Sequence, residues 1–293
     1  IGFIGLGVMG EPICRNMARK SGVPVIAYDV RPEPLERLGA DGVASALSLA
    51  ELAGRSTIVM LSLPSGSEVA ALCDGADGLV ALVRPGQMVV DLGTSPVALA
   101  RDLARRFGEK GALFADAPVA RTRQAAQEGT LSIMVGADSA SFARIEALLR
   151  CCASEISHCG EVGAGQFVKI MNNMILFQTG VALAEALALA RRSGVDAALL
   201  LDTLTKGSAD SFALRNHGIR AMLPGLFPAQ AFSAAYALKD IGYALELADA
   251  AGLALPGAAL ARDLLRRTIE AGHGEAYWPV LATIVDQPKI CKP

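Results

Sequence analysis

The 293-residue sequence predicts an N-terminal α/β domain with a mainly parallel, doubly wound sheet, followed by an all-helical second domain. Three observations lead there. Short apolar runs alternate with helical stretches up to about residue 160. A glycine-rich turn, Gly5-Leu6-Gly7-Val8-Met9-Gly10, follows the opening run and precedes a helical pattern. Beyond Gly160 the strand signals stop, and alanine- and leucine-rich helical periodicity takes over.

Taken in order, the strand candidates are Ile1–Gly5, Val23–Asp29, Thr57–Leu63, Met88–Leu92, Leu113–Ala117, Ser132–Val135 and Glu155–His158. Helical stretches such as Glu11–Ser21, Pro96–Phe107 and Ala140–Cys151 separate most of them, as in repeated β-α units. A domain boundary is expected near residues 158–163, giving domains of 1–160 and 161–293. A long helix over Gly163–Ser193 opens the second domain. Further helices are expected at Asp196–Thr205, Ala234–Ala251, Pro256–Ala271 and Tyr277–Val285. Val181–Ala190 carries small and apolar residues on most sides, as in a helix buried all round, so a homodimer or homotetramer is expected.

Hydrophobic residues make up 52% and charged residues 19%, which leaves little room for disorder. The formal net charge of -2 offers no basic excess for nucleic acid, so a bound anion must be held by a few placed residues. The apolar stretches read as too short or too interrupted to span a membrane, and the chain opens directly into strand, with no signal peptide legible. A cytoplasmic location is expected. The six cysteines, Cys14, Cys73, Cys151, Cys152, Cys159 and Cys291, have no C-x-x-C spacing. Free thiols and no metal site are expected.

In the G-x-G-x-x-G turn, Gly5 permits a tight turn, Gly7 lets backbone approach a pyrophosphate, and Gly10 allows close helix–sheet contact. Val8 and Met9 lie between them, where N–H groups of the helix start face the phosphates. Asp29, about twenty residues on at the end of the second strand, is placed to bond a ribose 2′-hydroxyl. NAD is therefore the expected cofactor; Arg31 softens the preference, and NADP stays possible. Leu63-Pro64-Ser65 and Gly93-Thr94-Ser95-Pro96 end two further strands at the same sheet edge, where open α/β sheets bind ligands. Either turn alone can equally be helix capping.

On the long helix, Lys169, Asn172 and Asn173 stand at i, i+3 and i+4, so an ammonium and two amides share a face. Their neighbours are apolar, and partial burial of the lysine would lower its pKa and suit it to proton transfer. A lysine merely snorkelling from a buried helix fits that stretch as well. Arg121 and Thr122 follow the strand ending in Asp116, where they can clamp an anionic substrate group. A surface loop of solvated arginines is the other reading.

The motifs G-F-I-G-L-G-V-M-G-E-P-I, L-P at 63–64, G-T-S-P at 93–96, D-A-P-V at 116–119, E-G-T-L at 128–131, G-x-G-x-x-x-K-x-x-N-N at 163–173 and L-K-D at 238–240 occur in order along the chain. Together they resemble the β-hydroxyacid dehydrogenases, the group of 3-hydroxyisobutyrate dehydrogenase, tartronate semialdehyde reductase and related semialdehyde reductases. The resemblance implies a Rossmann-type first domain and Lys169 as catalytic acid/base. It implies that Asn172 and Asn173 hold substrate and lysine, and that Pro64, Thr94 and Lys239 touch the cofactor. Without it, a Lys-Asp pair at 239–240 reads as a solvated helix face. Where the family usually has S-G-G after D-x-P-V, this chain has Ala120-Arg121-Thr122, similar to the G-R-T of the sulfolactaldehyde reductase and 4-hydroxybutyrate dehydrogenase branch. An arginine there suits a sulfonate or a more distant carboxylate. The expected activity is hydride transfer between NAD(H) and a small anionic hydroxy acid or semialdehyde. The alternatives are the 3-hydroxyisobutyrate or tartronate semialdehyde reaction, or a catalytically silent cofactor-binding scaffold, against which the presence of Lys169, both asparagines and Lys239 argues.

Overall fold

The computed structural model describes residues 1–229 and 231–287; Cys291 lies outside the described residues. The chain divides into two compact units, Ile1–Lys169 and Ile170–Pro293.

The first unit is built on one sheet. Its strands are β1 (Gly2–Ile4), β2 (Ile26–Tyr28), β3 (Ala44–Ser45), β4 (Ile58–Leu61), β5 (Met88–Asp91), β6 (Leu113–Asp116), β7 (Val119–Ala120), β8 (Leu131–Gly136) and β9 (Ala153–Gly160). Their spatial order is β3-β2-β1-β4-β5-β6-β8-β7, with β9 paired to β8. From β3 across to β6 all neighbours are parallel. The sheet is mainly parallel, as expected; the exception is β8, which covers the strand expected at Ser132–Val135 and runs antiparallel to β6 and β7, while β9 runs parallel beside it. Strands buried on both faces read as continuous apolar runs, and their alternate residues feed separate cores. Phe3 and Met60 pack with Ile13 and Val90 on one face, while Ile4 and Leu61 pack with Val89 and Phe107 on the other.

The connecting helices are α1 (Gly10–Lys20), α2 (Pro32–Gly39), α3 (Leu49–Arg55), α4 (Gly66–Cys73), α5 (Leu79–Leu82), α6 (Val97–Glu109), α7 (Arg123–Glu128) and α8 (Ser139–Leu149). Side-chain caps start several of them: Ser48 for α3, Ser65 for α4, Thr122 for α7 and Asp138 for α8 each accept a backbone N–H. The two-residue strands β3 and β7 escaped the sequence reading because neither is long enough to show alternation.

The helix α9 (Ala164–Arg192) begins in the first unit and continues into the second. It is followed by α10 (Ala197–Leu204), a π-helical segment at Leu214–Met222, α11 (Ala234–Ala250), α12 (Pro256–Thr268) and α13 (Leu281–Val285). The expected helix over Tyr277–Val285 is in fact a 3-10 turn, Trp278–Val280, leading into α13. The expected Pro256–Ala271 helix loses α geometry after Thr268, where a π turn follows and Gly272 takes φ +88°. Isolated antiparallel bridges join Ala229 to Ala276 and Ser233 to Tyr277. The core gathers Phe177, Leu187, Leu201, Leu265 and Trp278. Gly180 matters there, because a Cβ on it would stand 2.5 Å from two ring carbons of the fully buried Trp278.

By length and composition α9 is long and apolar enough to cross a membrane, although Gly165, Lys169, Gly180 and Glu185 interrupt it; half of its most apolar window is buried within the protein. The expectation that Val181–Ala190 is buried all round is corrected, since Ala182, Glu185 and Leu189 are exposed. The five described cysteines carry free thiols, and burial pushes those of Cys14, Cys73 and Cys152 up to about 12. Among the described residues no cluster of three His, Cys, Asp or Glu side chains stands together to hold a metal.

Candidate active site

The glycine turn separates the three glycines by what surrounds them. Gly5 has φ +89°, and a Cβ on it would lie 2.4 Å from the Ser62 carbonyl oxygen. A Cβ on Gly10 would lie 2.0 Å from the Gly5 carbonyl oxygen, so the start of α1 is pressed against the end of β1. Gly7 meets nothing within 4 Å. The first and third glycines are thus required by the protein itself, whereas the second faces open space, as a backbone approached by a pyrophosphate requires. Val8 is exposed and Met9 half-buried beside it.

Asp29 follows β2 with its side chain nearly buried. Its Oδ2 accepts the Leu6 N–H at 2.6 Å, and its Oδ1 accepts from the Arg31 backbone N–H at 2.9 Å and from Arg31 Nε at 3.2 Å. Burial pushes this carboxyl up, but those N–H donors and the guanidinium outweigh it and hold it below the usual carboxylate range. Arg31 also donates from Nη2 to the Leu6 carbonyl at 3.2 Å. Asp29 and Arg31 therefore brace the glycine turn. The carboxylate keeps lone pairs for a hydroxyl, having about four acceptor positions.

Leu63 and Pro64 follow β4 and Thr94 follows β5, so these turns share the carboxyl edge of the sheet with the glycine turn after β1. A Cβ on Gly93 would come within 3.0 Å of the Leu63 carbonyl, so the two turns touch. Residues missed by the sequence reading hold this edge. Asp91 accepts from Gly93 N–H at 2.9 Å and Ser95 Oγ at 2.7 Å. Gln166, fully buried, accepts the Ser95 N–H through Oε1 at 3.0 Å and donates from Nε2 to the Gly93 carbonyl at 2.8 Å.

The front of α9 is seated on Asp116 at the end of β6. Asp116 Oδ1 accepts the Gly163 N–H and Oδ2 the Gln166 N–H, each at 2.6 Å, supplying a carboxylate to the positive end of a long helix. Burial nevertheless pushes this carboxyl up to about 6, against those two donors. Gly165 permits the seating, since a Cβ there would stand 2.4 Å from the Met134 carbonyl oxygen. Lys169, one turn further along, is buried with 8% exposure. Asp116 and Gln166 were within reach of the sequence, in the D-A-P-V and G-A-G-Q motifs, but nothing local signals their pairing.

Asn173, one turn beyond Lys169, is buried with 1% exposure, whereas Asn172 is exposed, so the two asparagines do not share the lysine's surroundings equally. Asn172 Nδ2 donates to Asn173 Oδ1 at 3.0 Å, and Asn173 Nδ2 donates to Asp240 Oδ2 at 2.6 Å. The reading of Lys239-Asp240 as a solvated face is corrected. Asp240 is buried, and Lys239 lies against it at 2.9 Å with its ammonium 5.0 Å from the Tyr243 ring centre.

Arg121 is the one described non-glycine residue at positive φ, +84°. Its exposed side chain donates from Nη1 to the Thr130 carbonyl at 2.5 Å and to Ser154 Oγ at 2.8 Å. Thr122 caps α7, its Oγ1 accepting the Ala125 N–H at 3.3 Å.

Residues 1–160 match the family model described as the NAD binding domain of 6-phosphogluconate dehydrogenase. Residues 163–278 match that described as NAD-binding of NADP-dependent 3-hydroxyisobutyrate dehydrogenase. The chain is 37% identical to 3-hydroxyisobutyrate dehydrogenase of Pseudomonas aeruginosa, covering 93% of this chain and 94% of the relative. It is 34% identical to 2-(hydroxymethyl)glutarate dehydrogenase of Eubacterium barkeri, over 98% of this chain and 95% of that one. Among solved structures, the 3-hydroxyisobutyrate dehydrogenase of Mycobacterium tuberculosis with L-serine superposes with a TM-score of 0.88 at 30% identity, covering 98% of each chain. The chain thus belongs to the β-hydroxyacid dehydrogenase family and is an NAD-dependent hydroxyacid dehydrogenase, with NADP also possible.

Proposed function

We propose that the substrate is a small hydroxy acid, or the matching semialdehyde, whose anionic head group is held by Arg121 and Thr122. The type is 4-hydroxybutyrate with succinic semialdehyde, or sulfolactaldehyde. The observation that carries this reading is the backbone of Arg121. A side chain at φ +84° costs of order 1–3 kcal/mol that glycine would not incur, and such strain gathers at functional sites. Both bonds of its guanidinium leave from Nη1, and the group has three further N–H donors for a carboxylate or sulfonate. Thr122 keeps its own hydroxyl proton to donate while capping α7. The Eubacterium relative's name gives a dicarboxylate substrate, in keeping with an additional cation at the site.

In this reading the Gly5–Gly10 turn, Asp29 and Arg31 hold the dinucleotide, and Leu63, Pro64 and Thr94 complete its surroundings. When bound, NAD(H) supplies or accepts the hydride. Lys169 gives its proton to the substrate oxygen in reduction and takes the hydroxyl proton in oxidation. Asn173 and Asn172 order that end of the helix. The protein works as a cytoplasmic homodimer or homotetramer, and the exposed Ile175 and Leu189 of α9 offer apolar surface for association.

A second reading rests on the same arginine. Its bonds to Thr130 and Ser154 are a structural tie, and with Arg121 so occupied the substrate is 3-hydroxyisobutyrate or tartronate semialdehyde. Initial rates with NADH on sulfolactaldehyde, succinic semialdehyde, methylmalonate semialdehyde and tartronate semialdehyde separate the two. Preference for either of the first two, lost in Arg121→Gly, supports the anion clamp; preference for the last two, unchanged in that variant, removes it. Lys169→Ala should lower turnover by a factor of at least about 100 with NADH affinity kept, general acid–base groups typically contributing that much. Near-normal turnover would take the lysine out of the catalytic role.

A further inference from the structure

We propose that Asp240 is a positioning residue for Lys169, acting through Asn173: it fixes the Asn173 amide so that an acceptor oxygen, rather than a donor nitrogen, serves the lysine's face of α9. This inference rests on Lys169 being the proton donor.

An ionised carboxylate only accepts hydrogen bonds. The buried Asp240 Oδ2, 2.6 Å from the Asn173 side chain, therefore requires the amide nitrogen on its side. The amide oxygen must then point the other way, and there it accepts the Asn172 N–H at 3.0 Å. Lys169 stands one helical turn before Asn173, on the same face. An ammonium has three donors and no acceptor, so only an acceptor can orient it. A flipped amide would offer the lysine N–H groups and repel it. Asp240 forbids that flip from a different helix, α11, 67 residues further along the chain.

The other oxygen of Asp240 does comparable work on its own helix. Oδ1 lies 2.9 Å from Lys239 Nζ, an ion pair between neighbours rather than a well-aligned hydrogen bond. The Lys239 ammonium is further flanked by the Tyr236 and Tyr243 rings, at 5.7 and 5.0 Å from their centres. One buried carboxylate thus orders both Asn173 and Lys239. A purely structural tie between α9 and α11 needs a hydrogen bond of either polarity; an orienting role needs this polarity.

The test is a polarity swap in the full-length protein, using the aldehyde among the four above that turns over fastest. Asp240→Asn keeps shape and hydrogen-bonding capacity but lets the Asn173 amide take either orientation. Its kcat should fall about 10- to 100-fold, with KM for the aldehyde within about threefold and the pH at which kcat breaks displaced. The double variant Asn173→Asp with Asp240→Asn restores a bond of reversed polarity and again presents an acceptor to Lys169. It should recover at least about tenfold over Asp240→Asn alone, with its pH optimum raised because a carboxylate now faces the ammonium. If Asn173 instead serves as a donor to substrate, the double variant is no better than Asp240→Asn, which overturns the proposal. A loss of thermal stability in Asp240→Asn with kcat and its pH profile unchanged overturns it too. Lys169→Ala measured alongside separates the failures: an active Lys169→Ala sinks the acid/base reading itself, whereas an inactive one beside a fully active Asp240→Asn sinks only the role of Asp240.

Discussion

Replacing Gly7 and Gly10 separately by alanine should give opposite outcomes in stability and in cofactor affinity. At Gly10 the new methyl carbon would stand 2.0 Å from the Gly5 carbonyl oxygen and 3.1 Å from Ser62 Cβ. The obstacle is backbone, itself tied down by the Gly5 N–H bond to the Tyr28 carbonyl at 3.0 Å, so β1 and α1 must move apart. Overpacking of this kind costs about 1–3 kcal/mol, and at the first residue of a helix the propensity gain of alanine offsets only part of it. A loss of about 2 kcal/mol corresponds to a melting temperature lower by roughly 4–8 °C for a unit of this size. At Gly7 there is nothing within 4 Å and no positive φ, so alanine leaves the free protein within about 1 kcal/mol of the parent. The methyl instead occupies the space a pyrophosphate needs, and the same 1–3 kcal/mol appears as a 5- to 150-fold weaker NADH affinity. Thermal melts without cofactor, and NADH titration by calorimetry, read both quantities. If Gly7→Ala binds NADH normally, the dinucleotide does not cross the turn at Gly7, and the assignment of this edge as its site is wrong.

Further outcomes follow from the helical unit. His217 is buried, its Nδ1 is 2.5 Å from the Tyr277 hydroxyl, and burial pushes its pKa down to about 4. A histidine depressed in the folded state contributes stability that is present above its unfolded pKa near 6.5 and is lost as pH falls toward 4. The loss is at most about 3.4 kcal/mol for a pKa taken from about 6.5 to about 4, and it should vanish in His217→Gln. Asp116 works the other way, since a carboxyl raised to about 6 favours the fold at low pH and loses that contribution as pH climbs from about 4 to 6. The difference between parent and His217→Gln at each pH isolates the histidine; a difference independent of pH would show that His217 titrates normally. Gly180→Ala places a methyl 2.5 Å from the Trp278 ring, which is walled in by Phe177 and His217. It should destabilise by about 1–2 kcal/mol after the helix-propensity gain, with a weakened near-ultraviolet tryptophan signal, and an unchanged melt would mean that the ring has room to shift.

What the sequence disclosed and what it withheld divide by distance along the chain. The glycine turn with Asp29, and Lys169 with Asn173, are local: a strand, a turn and one helical repeat fix their spacing, so the pattern can be read without the fold. The pairs that support them are not local. Asp116 caps the front of α9 from 47 residues away, and Asp240 reaches Asn173 across 67. Neither partner has any periodicity that points at the other, and an Asp beside a Lys on a helix looks solvated until the helix opposite is known. Composition misled for a related reason. In Val181–Ala190 alanine and leucine occupy so many positions that the helix has almost no polar face, yet Ala182 and Leu189 are exposed. An exposed apolar position and a buried one are the same letters, so burial there is decided by α11, α12 and the Trp278 turn rather than by the helix's own residues. Arg121 is the opposite case. Its residue type was legible, but its φ of +84° was not, because only the pairing of β7 with β8 and the start of α7 force the chain to turn there. An arginine at such a bend, where glycine would fit without strain, is a stronger argument for function than its charge alone.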